Sequence, residues 1–95
     1  MVKFIGGFRM NELKAKEKLK GLVSPEILED VDRLRIMRML SLKERCACEI
    51  IKSFPKALIH LNMLEKEGIV KKREEGYLTY YSLAKEEIAN LLANL

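Results

Sequence analysis

RCACEIIKSFPKALIHLNMLEKEGIVKKREEGYLTYYSL, residues 45–83, is divided by its own punctuation. Pro55 suits the first turn of a helix, where a missing N–H is no loss. From there Ala57, Leu58, Leu61 and Leu64 recur as one apolar stripe. Gly68 falls where the stripe stops, as a residue able to take the left-handed conformation that closes helices. Residues 69–73 and 77–83 are rich in strand formers, with Glu74-Glu75-Gly76 between them as a turn. The order is a short helix, a tight turn, a second amphipathic helix over 55–67, and a two-stranded hairpin over 69–83.

That order predicts a mainly helical α+β fold, a winged helix-turn-helix. Ninety-five residues make a single domain, and a chain of this size buries about 60–70% of its extended surface, enough for a modest core. The expected division is an N-terminal arm and helix over 1–23, the winged-helix core over 24–83, and a C-terminal dimerisation helix over 84–95. No apolar run approaches the roughly 18 residues of a membrane span, and the start of the chain lacks the features of a signal peptide. Two cysteines one residue apart make no disulfide framework, which points to a reducing, cytoplasmic setting.

The net charge of +4 weakens as an argument for nucleic acid once it is divided by segment. Residues 1–23 hold six basic and two acidic residues; from Ser24 onward there are twelve of each. A neutral core still binds phosphate if its basic residues share one face, but bulk charge does not establish that.

In residues 1–10, Phe4, Ile5 and Phe8 surround Gly6-Gly7, and apolar groups so placed usually dock on something. Asn11 is a good helix N-cap, and 13–22 reads as a Lys-rich helix with a narrow buried stripe, ended by Gly21. Ser24-Pro25-Glu26 is a second helix start. From there Ile27, Leu28, Val31, Leu34, Ile36, Met37 and Leu40 fill the broad face of a central helix, with Asp30 a second candidate cap that leaves a break open. Residues 85–95 carry Ile88, Leu91, Leu92 and Leu95 on one face. With Leu13 they are the expected homodimer interface, although a helix that only lids its own core reads the same way.

Residues 30–83 resemble the ArsR family of small winged-helix repressors. Asp-Val-Asp-Arg-Leu-Arg-Ile-Met-Arg-Met-Leu at 30–40 is similar to the family's DPTRLRIL-like helix start, and Cys46-Ala47-Cys48-Glu49 to the Cys-x-Cys-acid of its arsenic and cadmium sensors. His60-Leu61, Leu64 and Gly68-Ile69-Val70 resemble the end of its recognition helix; Glu75-Gly76 and Tyr80-Tyr81 resemble its wing. The resemblance implies a homodimer that binds double-stranded DNA and releases it on meeting an inducer. Two departures stand out. Between Glu49 and Pro55 the chain is about four residues shorter than the family pattern, roughly one helical turn. Leu58 and Ile59 stand where the family usually places polar residues that reach the bases.

On a helical wheel the expected outward face of 55–67 is Ile59, Asn62, Met63 and Lys66, opposite a stripe of Ala57, Leu58, Leu61 and Leu64. Asn62 suits adenine, while Lys56 and Lys66 suit phosphate. The hairpin adds Lys71, Lys72, Arg73, Tyr77 and Thr79, with Glu74 and Glu75 opposing their field. Each of these polar groups also reads as ordinary solvated surface. Ile59 and Met63 suit either an apolar part of a DNA contact or a protein-binding face. His60, at the margin of the stripe, reads as a packed or hydrogen-bonded histidine.

Cys46 and Cys48 leave three readings open. Positions i and i+2 of a regular helix point about 200° apart, so the pair shares an ion only at a distorted helix start or in extended chain. The resemblance implies a soft metal ion or arsenite there, yet thiolate sites for zinc or cadmium usually want four ligands. The alternatives are a redox disulfide and two thiols that simply pack. No phosphate loop, nucleophile with an orienting acid, or catalytic metal cluster argues for an enzyme. The competing reading to a DNA-binding regulator is a winged-helix protein-interaction module.

Overall fold

A computed structural model describes residues 12–94. The expectations for residues 1–11, including the apolar arm and the Asn11 cap, and for Leu95 lie outside the described residues. The elements are α1 (Glu12–Leu19), α2 (Pro25–Leu28), α3 (Val31–Leu42), β1 (Arg45–Cys46), α4 (Ala47–Ser53), α5 (Ala57–Lys66), β2 (Val70–Glu75), β3 (Leu78–Leu83) and α6 (Glu86–Ala93). This is the winged helix-turn-helix that the sequence predicts.

The break at Asp30 is real. Its carboxylate accepts the Asp32 backbone N–H at 2.8 Å, so Asp30 caps α3 and α2 becomes a separate single turn. Leu34, Ile36, Met37, Met39 and Leu40 of α3 are all buried, and α3 touches α1, α2, α5, α6 and β3. It is the helix around which α1, α2, α5 and α6 pack. Arg38 donates to the Leu92 carbonyl at 2.8 Å, placing a cation at the C-terminal end of α6, where carbonyls lack helical partners.

Three residues, 54–56, join α4 to α5, and buried Phe54 fills the corner. Pro55 belongs to this turn rather than to the first turn of α5, which begins at Ala57. The family-relative shortening therefore leaves α4 about two turns long without opening the motif. At the other end of α5, Gly68 takes φ 78°; its N–H donates to the Glu65 carbonyl and that of Ile69 to the Leu64 carbonyl, both at 2.9 Å. That pairing is a Schellman motif, with Leu64 and Ile69 both buried beside it.

The sheet has three antiparallel strands in the order β1-β3-β2. Glu75 pairs with Leu78, so the hairpin turn is Gly76-Tyr77 rather than Glu74-Glu75-Gly76. Gly76 has φ 62° while no non-glycine residue among those described, Tyr77 included, has positive φ, as a II′ turn requires. The third strand, two residues long, is absent from the sequence reading. It pairs Arg45 with Tyr81 and Cys46 with Tyr80.

The expected dimer face needs correction at two positions. Ile88 and Leu92 are 1% and 0% exposed within the protomer's own core, because α6 packs along α3. Leu13, exposed, and Leu91, half-buried, keep surface for a partner. Among the described residues no helix is long and apolar enough to cross a membrane.

Candidate nucleic-acid interface and thiol pair

Helix α5 buries Ala57, His60, Leu61 and Leu64. Its outward arc is Leu58, Ile59, Asn62 and Lys66, all exposed, with Leu58 at 48% and Ile59 at 67%. Leu58 therefore leaves the predicted stripe. At 100° per residue it lies roughly 90° from the mean direction of Ala57, Leu61 and Leu64, whereas His60 lies about 70° away on the other side. Met63, expected outward, is half-buried against the core. The angular reading, rather than i/i+3 counting, carries the signal for Leu58 and His60; Met63 lies about 130° from the core direction on the wheel and is covered by packing that the wheel does not show.

A histidine reaches the buried face because it is supplied with partners. Arg33 Nε donates to His60 Nδ1 at 3.2 Å, so the neutral ring carries its proton on Nε2, which faces Asp30 Oδ2 at 3.9 Å. Arg33 also donates to the Glu26 carbonyl. The ligand-type atoms of Asp30, Asp32 and His60 lie within 4.8 Å of one another, but Asp30 is capping α3 and Arg33 occupies Nδ1 of the ring. This junction of α2, α3 and α5 fixes the rear of α5 and leaves its front free.

Lys56 immediately precedes α5, Lys66 ends it, and Lys52 lies near the end of α4; all three are exposed and none is in a salt bridge. On the hairpin, Lys71, Lys72 and Tyr77 are exposed and Thr79 is half-buried. Arg73 is committed elsewhere. Its guanidinium meets Glu44 at 2.9 Å and Glu75 at 2.7 Å and lies 4.6 Å from the centroid of the Tyr80 ring. The hydrogen bonds to Glu44 and Glu75 hold its pKa above the ordinary guanidinium value; the Arg73 hydrogen bond in turn holds Glu44 below the usual carboxylate value. The structure thus gathers Lys56, Ile59, Asn62 and Lys66 on one arc. Arg73 is removed from the free cations of the wing.

Cys46 ends β1 and precedes α4, with φ −70° and ψ 144°, extended chain at a helix start. That conformation overcomes the i/i+2 divergence: the two sulfurs lie 2.7 Å apart. The Cys46 N–H donates to Glu49 Oε1 at 3.3 Å. The side-chain hydrogen bond shared with Cys48, then backbone N–H groups of Cys48 and Glu49, hold the Cys46 pKa below the ordinary thiol value. The same side-chain contact with Cys46, with burial and the neighbouring sulfur's charge adding to it, pushes Cys48 up. The pair supplies two soft sulfur donors, half of a four-ligand thiolate set, and among the described residues no third metal-ligating group joins them. Through β1 the pair is tied to β3, and α4 packs on α5.

Comparison with known proteins places these features in context. The profile of the family described as "Bacterial regulatory protein, arsR family" matches residues 30–72. The chain is 33% identical over 90 residues to the cadmium resistance transcriptional regulatory protein CadC of Listeria innocua, covering 83% of this chain and 76% of that one. Among solved structures, reduced HlyU from Vibrio cholerae superposes with a TM-score of 0.68 at 26% identity, over 90% of this chain and 94% of HlyU. The homodimeric winged helix-turn-helix DNA-binding domain of Mb0332 from Mycobacterium bovis gives 0.66 at 28% identity, over 95% and 85% of the two chains.

Proposed function

Because the chain belongs to the arsR family of bacterial regulatory proteins, we propose that it is a homodimeric transcriptional repressor that lays α5 in the major groove of double-stranded DNA. The family is one of transcription regulators, not enzymes. The observation that carries the reading is the division of α5: its rear is fastened through His60 and Arg33, while Asn62, Lys56 and Lys66 stand free in front. Lys71, Lys72 and Tyr77 of the hairpin reach the flanking backbone. The homodimeric state of the Mb0332 domain and the residual apolar surface at Leu13 and Leu91 support a dimer.

Fluorescence anisotropy with duplex DNA from upstream of the protein's own gene, against a scrambled duplex, tests the reading. Binding is expected to prefer the upstream duplex and to weaken with salt, since each phosphate neutralised contributes about 0.9 to the log–log slope. Lys72→Ala lowers that slope by about 1, whereas Arg73→Ala leaves it nearly unchanged because Arg73 already faces Glu44 and Glu75. Absence of salt-dependent binding would sink the repressor reading and favour a protein-binding role for the exposed Leu58 and Ile59.

The sulfur pair favours a sensing role on the same molecule. CadC is named for cadmium resistance, and two adjacent sulfurs, one with its pKa below the ordinary thiol value, are soft donors suited to cadmium or arsenite. Cys46 and Cys48 would hold such an ion, the remaining ligands coming from outside the pair, and its charge would draw both sulfurs into the thiolate form. A thiol switch is the second reading: the two thiols yield two protons and two electrons to a peroxide, which becomes two waters. Either event acts at the joint of β1 and α4, one attached to the wing and the other to α5. DNA release by cadmium, arsenite or peroxide, lost in the Cys46→Ser, Cys48→Ser double variant, is the expected result; unchanged release in that variant would exclude the pair as sensor.

A further inference from the structure

Two branched aliphatic side chains stand in water on the front of α5, and they are its second and third residues. Leu58 is 48% exposed and Ile59 is 67% exposed. Among the described residues neither is buried, whereas Lys56, just before α5, and Lys66, its last residue, lie outside any salt bridge. An apolar centre between uncompensated cations is complementary to a surface that is apolar in the middle and anionic at its edges. The floor of the DNA major groove, between its two phosphate backbones, is such a surface wherever thymine methyls line it.

Given the reading that α5 enters the major groove, we infer that the operator half-site is read as a short run of A·T pairs. Thymine C5-methyl groups lie under Leu58 and Ile59, and an adenine lies opposite Asn62. The first residues of a recognition helix are those that reach base edges. The thymine methyl is the apolar group that a base pair offers in the major groove, and aliphatic side chains have no hydrogen bond to give to the others. Asn62, one turn further along the same arc, has the donor–acceptor pair that matches adenine N6 and N7. Guanine is characteristically read by a bidentate arginine or a lysine; no arginine lies on α5, since Arg33 is held by His60 and the Glu26 carbonyl and Arg73 by Glu44 and Glu75, and Lys56 and Lys66, before and at the end of α5, are assigned to phosphate. From Leu58 to Asn62 the helix rises about 6 Å, close to two base-pair steps of ~3.4 Å. The aliphatic and amide contacts therefore fall on about three successive pairs.

Selection of bound duplexes from a random pool, followed by replacement of each selected thymine with uracil, tests this directly. Uracil removes only the methyl, leaving pairing, backbone charge and the other groove-edge groups unchanged. The expected result is a selected half-site with adjacent A·T pairs, an affinity loss of about fourfold for each covered methyl, and loss of that sensitivity in Leu58→Ala and Ile59→Ala. Both residues are exposed, so the variants keep the parent's thermal melt, which controls for folding. Asn62→Ala is expected to relax the preference only at the neighbouring adenine. A G·C half-site, or salt-dependent binding indifferent to uracil, would overturn the inference while leaving the DNA-binding reading intact. Failure of every duplex to bind would overturn both and assign the aliphatic pair to a protein partner.

Discussion

Cys46 and Cys48 share one proton-rich contact but are pulled in opposite directions. The contact between the two sulfurs favours the thiolate at Cys46 and the thiol form at Cys48. The consequence is measurable in the pH dependence of alkylation by iodoacetamide, which reports the thiolate. In the parent, the pair titrates in two steps that belong to both sulfurs. Cys48→Ala removes the side-chain hydrogen bond to Cys46, so the midpoint of Cys46 alkylation moves to higher pH than the parent's first step. Cys46→Ala frees Cys48 from its partner, so its midpoint falls below the parent's second step. Two single variants with the midpoints of the parent's two steps would show that the sulfurs do not interact. The Cys-x-Cys was visible in the sequence, and so was the need for extended chain at a helix start. Which thiol has the lowered pKa is not, because that depends first on the side-chain contact between the two sulfurs and only then on the backbone N–H groups at the start of α4.

Helix α5 shows why spacing alone misplaces a residue. Ala57, Leu58, Leu61 and Leu64 are all apolar, and counting by threes and fours accepts each of them; only three face the core, and the fourth buried position is His60. A histidine there is tolerated because Arg33 comes from another helix to meet it, a long-range fact that no local pattern carries. The ends of the elements were more legible: Gly68, Asp30 and Gly21 act through their own backbone or side chains, within a few residues. Strand β1 is the opposite case, since two residues are too short for any alternation and its existence depends on β3. Stability measurements separate the two leucines. Leu61→Ala is expected to cost about 2–5 kcal/mol, the range for a buried leucine whose cavity only partly collapses, while Leu58→Ala stays within about 0.5 kcal/mol. In a chain of this size that is a fall in melting temperature of roughly 10 °C or more against almost none. Equal losses would restore Leu58 to the core stripe.

The protomer measures 38 × 35 × 22 Å, so two copies side by side can present their recognition helices about one DNA turn, ~34 Å, apart. What joins them is narrowed by burial. Ile88 and Leu92 are spent inside the protomer, while α1 and α6 lie in contact and keep Leu13, 76% exposed, and half-buried Leu91. In α1 the Glu12–Arg35 pair at 2.8 Å holds the helix to α3, which fixes the position of Leu13. A twofold interface brings the same patch of each copy together, so a charge introduced there meets its own image. Leu13→Lys combined with Leu91→Lys is therefore expected to give monomers at micromolar concentration in sedimentation equilibrium. Its melting temperature becomes independent of concentration, where the parent's rises with concentration because association stabilises the folded state. On DNA the variant keeps weak binding to a single half-site, whose contacts lie on α5 and the wing, and loses the added affinity of a duplex carrying two correctly spaced half-sites. A double variant that remains dimeric would move the interface away from α1 and α6. The DNA-facing residues would then have to be oriented by contacts among other parts of the fold.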